Sequence, residues 1–141
     1  MRRVVLISCT SKKLGTRAQA KDLYTSPLFR LNFAYANSLR PDAILILSAK
    51  YGLVDPEKEI DPYDVTLNDM SPNEIQAWAS LVERRLRQYF DFQQNHFIFL
   101  AGANYRKHLI PYLSSYEVPM EGLSIGRQLQ YLKRQLNEQE L

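Results

Sequence analysis

The sequence predicts an α/β fold, a three-layer α/β/α sandwich around a short parallel sheet of about four strands. Two observations carry this. Unbroken apolar runs, Val4-Val5-Leu6-Ile7, Ala43-Ile44-Leu45-Ile46-Leu47 and Phe97-Ile98-Phe99-Leu100, are too short for helices and are separated by segments whose apolar residues recur at helical spacing. Each run also ends in small polar residues or glycine, at the carboxyl edge where open α/β sheets bind ligands. With 141 residues the chain reads as one domain, residues 1–141. A domain of that size buries roughly 70% of the surface its unfolded form exposes.

The first strand is residues 3–8. Ser26-Pro27 then supplies a cap and a first-turn proline, and Leu28, Leu31, Tyr35 and Leu39 mark a helix ending near Arg40-Pro41. A second strand covers Ala43–Ser48. From Lys50 to Met70 runs an aperiodic stretch containing Gly52, Pro56 and Pro62, long enough to be a binding loop. Ser71-Pro72-Asn73-Glu74 is a capping box, and Ile75, Trp78, Ala79, Val82, Leu86 and Tyr89 form the buried stripe of the helix it starts. A third strand, His96–Leu100, precedes a short helix that Asn104 caps and Pro111 limits. Tyr116–Met120 reads as a weaker fourth strand. Gly122 leads into a last helix with Ile125, Leu129, Leu132 and Leu136 on its apolar face. Strands alternating with helices call for right-handed parallel crossovers.

Composition narrows the function. A hydrophobic content of 45% with 23% charged residues is that of a globular protein, not a disordered one. No apolar run approaches the ~20 residues of a membrane span, and no signal segment opens the sequence. The single cysteine excludes an intramolecular disulfide framework. These features predict a cytoplasmic protein with no membrane partner. The net charge of +3 is mild, but Lys12, Lys13, Arg17, Lys21, Lys50, Arg106 and Arg127 follow strand ends or helix starts, whereas Arg84, Arg85 and Arg87 read as a solvated helix face.

Ser8-Cys9-Thr10-Ser11-Lys12-Lys13 gathers hydroxyls, backbone donors and positive charge at one strand end, the composition of an anion-binding loop. Only one of the adjacent Lys12 and Lys13 faces such a site in an extended segment. Cys9 reads either as a thiolate nucleophile beside two lysines or as a small residue packed under the loop. Ser48-Ala49-Lys50-Tyr51-Gly52 repeats the logic at the second strand, with Tyr51 for stacking on a base and Gly52 for close backbone approach. Asp61-Pro62-Tyr63-Asp64 offers two carboxylates and a further ring, for activating water or for turn chemistry. Tyr105-Arg106 and Arg127 lie at helix starts suited to phosphate. No Walker loop or Gly-x-Gly-x-x-Gly fingerprint occurs, and His96, His108 and Cys9 lack metal-ligand spacing. No metal and no cofactor is expected.

Leu6–Lys13, Asp22–Phe29, Leu47–Leu53, Pro62-Tyr63-Asp64 and Gly122–Gly126 together resemble an uncharacterised prokaryotic domain family marked by Ser-Cys-Thr-Ser-Lys-Lys and Ser-Ala-Lys-Tyr-Gly-Leu motifs. More distantly the chain is similar to YaaA-type peroxide-stress proteins and to the Cys-x3-Lys domain of archaeosine synthase, which acts on a deazaguanine base in tRNA. Cys9-x3-Lys13 matches that spacing, with Leu14-Gly15 in place of the Pro-Tyr that follows the lysine there. The resemblance implies the uracil-DNA glycosylase-like fold.

The expected function is a metal-independent enzyme acting on a nucleotide or nucleic acid, by hydrolysis at an N-glycosidic bond or a phosphodiester, cyclic nucleotides included. Lys13, Ser11 and Lys50 would hold phosphate, Tyr51 would stack on the base, and Asp61 or Asp64 would orient water. The alternative is a non-catalytic module that binds the same ligands. Phe29, Phe33 and Tyr35, spread around one helix, also suggest a homo-oligomer.

Overall fold

The computed structural model describes residues 2–140, with side chains through Asn137. Its centre is a five-stranded, mostly parallel sheet with β1 (Arg3–Ser8) in the middle, Val4 to Ile7 being fully buried. A ribbon of β2 (Ala18–Gln19) and β5 (Glu59–Ile60) stands apart from this sheet. β3 (Ala43–Ser48) and β6 (His96–Leu100) flank β1 on either side, both parallel to it. β7 (Tyr116–Glu117) continues the sheet beyond β6, and β4 (Gly52–Val54) closes the opposite edge antiparallel to β3.

The edges depart from the sequence reading. The fourth predicted strand pairs only at Tyr116 and Glu117, and Pro119, which has no N–H to give a ladder, lies just beyond. The stretch after Lys50 is not a bare loop. Gly52 has φ +76, a left-handed conformation suited to glycine, and it turns the chain back so that Ser48 pairs with Gly52 and Ile46 with Val54.

The helices are α1 (Ala20–Leu23), α2 (Pro27–Ser38), α3 (Pro72–Tyr89), α4 (Ala103–Arg106) and α5 (Ile125–Glu140). Ser26 Oγ accepts from Phe29 N–H at 3.2 Å to cap α2, and the Ser71/Glu74 capping box is formed at α3. α2 packs on β1 and α5, while α3 packs on β4. Phe29 and Tyr35 are buried inside this packing, with Phe33 stacked on Phe29, so the aromatic residues around α2 serve the core of their own chain. Tyr89, the last residue of α3, is 68% exposed, so the buried stripe stops at Leu86. Arg84 and Arg87 are exposed, as their spacing suggests, and Arg85 departs from it. Arg85 is half-buried and donates to Tyr51 O at 2.8 Å, and the Arg87 guanidinium lies 4.4 Å from the Phe92 ring centre. Among the described residues, no helix is long and apolar enough to cross a membrane.

The chain passes from β1 to β3 on one side and then returns to place β6 on the other. The reversal makes the carboxyl ends of β1 and β6 the switch point of the sheet, where a crevice opens.

Candidate functional site

The loop leaving β1 is fixed on every side. Cys9 N–H extends the ladder to Leu47 O at 3.0 Å, Thr25 N–H donates to Lys12 O at 3.0 Å, and Leu14 N–H donates to Leu23 O at 2.8 Å. Ser26, which caps α2, also donates its hydroxyl to Thr10 Oγ1 at 3.0 Å. From the other side of the crevice Gly102 N–H donates to Ser8 Oγ at 3.3 Å and ties the end of β6 to the end of β1. Polar side chains of this loop thus hold a backbone bend in place as well as facing a cavity.

That cavity is a cleft of about 350 Å³, within the size range of small-molecule sites. The β1 loop gives it Ser8, Cys9, Thr10, Ser11 and Lys13, and the segment before α3 gives it Asp64, Val65, Thr66 and Asn68. Ala101, Gly102 and Tyr105 come from the end of β6 and from α4. Leu28 and Asn32 come from α2, and Ile125 and Gln128 from α5.

Of the residues expected at a site, Ser8, Cys9, Thr10, Ser11, Lys13, Asp64 and Tyr105 therefore share one cleft, and the others stand outside it. Lys12 is exposed while Lys13 is half-buried, as their opposed directions require. Lys13 Nζ lies 4.3 Å from the centre of the Tyr63 ring and donates to Ser11 O at 3.2 Å. Lys50 instead places its Nζ 5.3 Å from the Tyr51 ring centre, and Tyr51 meets Tyr63 edge-on, so each ammonium group settles against a different ring. The second strand end does not contribute a lysine to the cleft.

Ser48 is fully buried, and its hydroxyl donates to Tyr63 Oη at 2.9 Å while accepting from Tyr51 N–H at 3.0 Å. Gly52 serves its own backbone turn and does not line the cleft: a Cβ there would come within 3.2 Å of the Arg85 guanidinium. Asp61 pairs with Arg17 at 3.3 Å on the surface. Arg106 turns back to donate to Ala101 O at 2.6 Å and lines a neighbouring cavity of about 230 Å³ that shares Ala101, Gly102 and Gln128 with the cleft. Arg127 is exposed, and its N–H donates to Ser124 Oγ at the start of α5.

Behind the cleft lies a tyrosine network. Tyr24 and Tyr63 share a 2.6 Å hydrogen bond between hydroxyls, and Tyr105 Oη accepts from the Cys9 thiol at 3.4 Å and from Leu67 N–H at 3.3 Å. Burial, reinforced by the neighbouring Cys9, pushes the Tyr24 phenol up to about 12 and raises Tyr63 and Tyr105 well above the ordinary phenol value. All three are neutral at physiological pH. Cys9 is itself 8% exposed, so its sulfur forms part of a wall more than a projecting nucleophile.

Sequence reasoning missed Asn32, Thr66, Asn68 and Gln128. Asn32 had a signal. It sits within the α2 stripe marked by Leu28, Tyr35 and Leu39, and an amide inside an apolar stripe is more informative than another leucine. Thr66 and Asn68 belong to a segment without periodicity. Asn68 Oδ1 accepts from Asn104 Nδ2 at 2.9 Å, which docks this segment on α4.

A family model, described as a family of unknown function (DUF6884), matches residues 4–134. The chain belongs to this family. The DUF6884 match runs from β1 into α5 and contains every residue that lines the cleft. No curated protein matches the chain.

Proposed function

We propose that this DUF6884 protein binds a nucleotide, free or within a nucleic acid, in the cleft between β1 and β6, and hydrolyses it without a metal. The observation that carries the reading is that Lys13 and Asp64 line the same cleft at the switch point of the sheet. An ammonium and a carboxylate on one cavity suit a ligand with an anionic end and a hydrolysable bond. Lys13 and Ser11, beside the start of α2, hold phosphate. Asp64 orients water and takes its proton as the water oxygen bonds to the electrophilic atom. At an N-glycosidic bond that atom is the sugar carbon, and the base departs with the bonding pair and a proton. At a phosphodiester, cyclic or linear, the atom is phosphorus and an alcohol leaves.

The strand order β3-β1-β6-β7, with helices packed against the sheet, supports reading the fold as a three-layer α/β/α sandwich of the uracil-DNA glycosylase-like type. Fold alone assigns no reaction. The test is incubation with nucleotides, cyclic nucleotides, tRNA and single-stranded DNA in chelator, followed by mass analysis of the products. Product that disappears in Lys13→Ala and Asp64→Asn, at unchanged melting temperature, supports the reading. Turnover unaffected by both substitutions rejects it.

A second reading, a non-catalytic nucleotide- or nucleic-acid-binding module, is favoured by the neutral Tyr105 on the cleft wall and by a Cys9 thiol that donates a hydrogen bond to it. Such a module grips nucleic acid through many phosphates, so its affinity falls steeply with salt and no product forms.

A further inference from the structure

Asn32 is 4% exposed and lines the cleft from α2, yet its carboxamide makes no hydrogen bond among the described residues. Its Oδ1 is enclosed, so presenting it to a ligand takes a turn of the carboxamide about its terminal torsion, which no bond to that oxygen opposes. Buried carboxamides are nearly always paired, so an unpaired one on the wall of a cavity calls for an explanation, and a ligand bound in that cavity supplies one. Its surroundings have a repeating form. α2 presents Leu28 and Asn32, and α5 presents Ile125 and Gln128, so each helix sets an apolar residue one turn before an amide on the same wall. Gln128 Nε2 already donates to Leu123 O at 2.9 Å. Ile125 is 64% exposed and Val65 42% exposed although both line the cleft, which leaves apolar surface at its mouth.

We propose that Asn32 reads the edge of a nucleobase, and that the helix-lined wall of the cleft is the base subsite while Lys13 and the β1 loop take the phosphate. This rests on the nucleotide reading of the cleft and deepens it. A carboxamide carries an acceptor beside donors in one plane, and a half-turn of the group exchanges them. Its complement is a planar ring that offers a donor next to an acceptor, as the amidine edge of adenine or cytosine and the lactam edge of guanine or uracil do. A phosphate dianion offers only acceptors and leaves Oδ1 unpaired. The apolar residues at the mouth suit the faces of the same ring.

The test is calorimetric titration of the full chain with the four ribonucleoside monophosphates, with ribose phosphate lacking a base, and with a short single-stranded oligonucleotide. The variants are Asn32→Leu, which keeps volume without polarity, and Asn32→Asp, which keeps shape but removes the amide donors. Wild type is expected to bind at least one nucleotide about tenfold more tightly than ribose phosphate. Asn32→Leu should bring that ratio within about twofold, leave ribose phosphate affinity unchanged, and leave the melting temperature equal or higher because no internal bond is lost. Asn32→Asp should change which base is preferred. The mononucleotide and oligonucleotide arms tell a free ligand from a base presented by a strand. A base preference that survives in Asn32→Leu overturns the assignment while leaving the nucleotide reading intact. So does a melting temperature lowered by more than about 5 °C in that variant, which would show the amide to be satisfied within the protein. If neither mononucleotides nor the oligonucleotide bind wild type, the nucleotide reading fails and the base subsite fails with it.

Discussion

Lys13 rests its ammonium on the face of Tyr63, 4.3 Å from the ring centre, and the hydroxyl of that ring is bonded to Ser48 and Tyr24. One tyrosine thus joins the cation of the cleft to the buried end of β3. Tyr63→Phe keeps the face and loses the hydroxyl, so we expect stability to fall by about 1–3 kcal/mol as Ser48 and Tyr24 lose a partner, with little change in ligand affinity. Tyr63→Leu removes the face as well. Because a cation–π contact contributes about 0.5–1 kcal/mol, we expect a further two- to fivefold loss of nucleotide affinity. Urea denaturation and calorimetry separate the two effects. Equal affinities for the two variants would show that the ring does not position Lys13.

Alkaline pH should loosen the fold. Tyr24 is held up to about 12 by burial and by Cys9, against about 10 in an unfolded chain. Between those values the folded state binds the proton that the unfolded state has released, so stability decreases as pH rises. Its contribution is complete below about pH 10 and is lost progressively towards pH 12. Tyr24 alone removes about 1.4 kcal/mol per pH unit in that window, and Tyr63 and Tyr105 act in the same direction. Thermal melts from pH 8 to about pH 11 should show a falling midpoint, with a shallower slope in Tyr24→Phe. A flat profile would contradict the buried network.

Gly52 and Gly122 form a matched pair for backbone strain. Both have positive φ, +76 and +81, but only at Gly52 would a Cβ meet another group, the Arg85 guanidinium at 3.2 Å. Gly122→Ala should cost about 1–2 kcal/mol from conformation alone. Gly52→Ala should cost more, because Arg85 must also shift and weaken its bond to Tyr51 O. Denaturant midpoints of the two variants measure the difference, and the reverse order would be inconsistent with this geometry.

The two carboxylates of Asp61-Pro62-Tyr63-Asp64 should separate in function. Asp61 forms an exposed ion pair with Arg17, a contact worth about 0–1 kcal/mol. Asp61→Asn is therefore expected to change stability little and turnover not at all, whereas Asp64→Asn abolishes turnover. Lys50→Ala should likewise retain activity that Lys13→Ala loses. Product assays on the four variants check this, and a greater loss in Asp61→Asn than in Asp64→Asn would reverse the assignment.

The interior strands and the helix starts were legible because their causes are local. Arg3–Ser8, Ala43–Ser48 and His96–Leu100 are unbroken apolar runs, and Ser26-Pro27 and Ser71-Pro72 carry their caps in sequence. β4, β2 and β5 were not legible. They have two or three residues each, too few to show alternation, and exist because a partner strand is present. For the cleft, the cluster Ser8 to Ser11 with Lys13 could be read at a strand end. Which lysine enters the cavity could not, because it depends on the ring each ammonium settles against, Tyr63 for Lys13 and Tyr51 for Lys50. Nor could the role of Ser48, whose hydroxyl is consumed by Tyr63 and Tyr51 in contacts that only the folded chain creates.

The bond from Gly102 N–H to Ser8 Oγ spans 94 positions, and the helix-lined wall that Asn32 shares with Gln128 waits for α5. During synthesis, then, β1 emerges early but the cleft at its carboxyl end stays unfinished until Gln128 has left the ribosome. A nascent chain stalled before that point displays the Ser-Cys-Thr-Ser-Lys-Lys stretch without the walls that the later segments build around it.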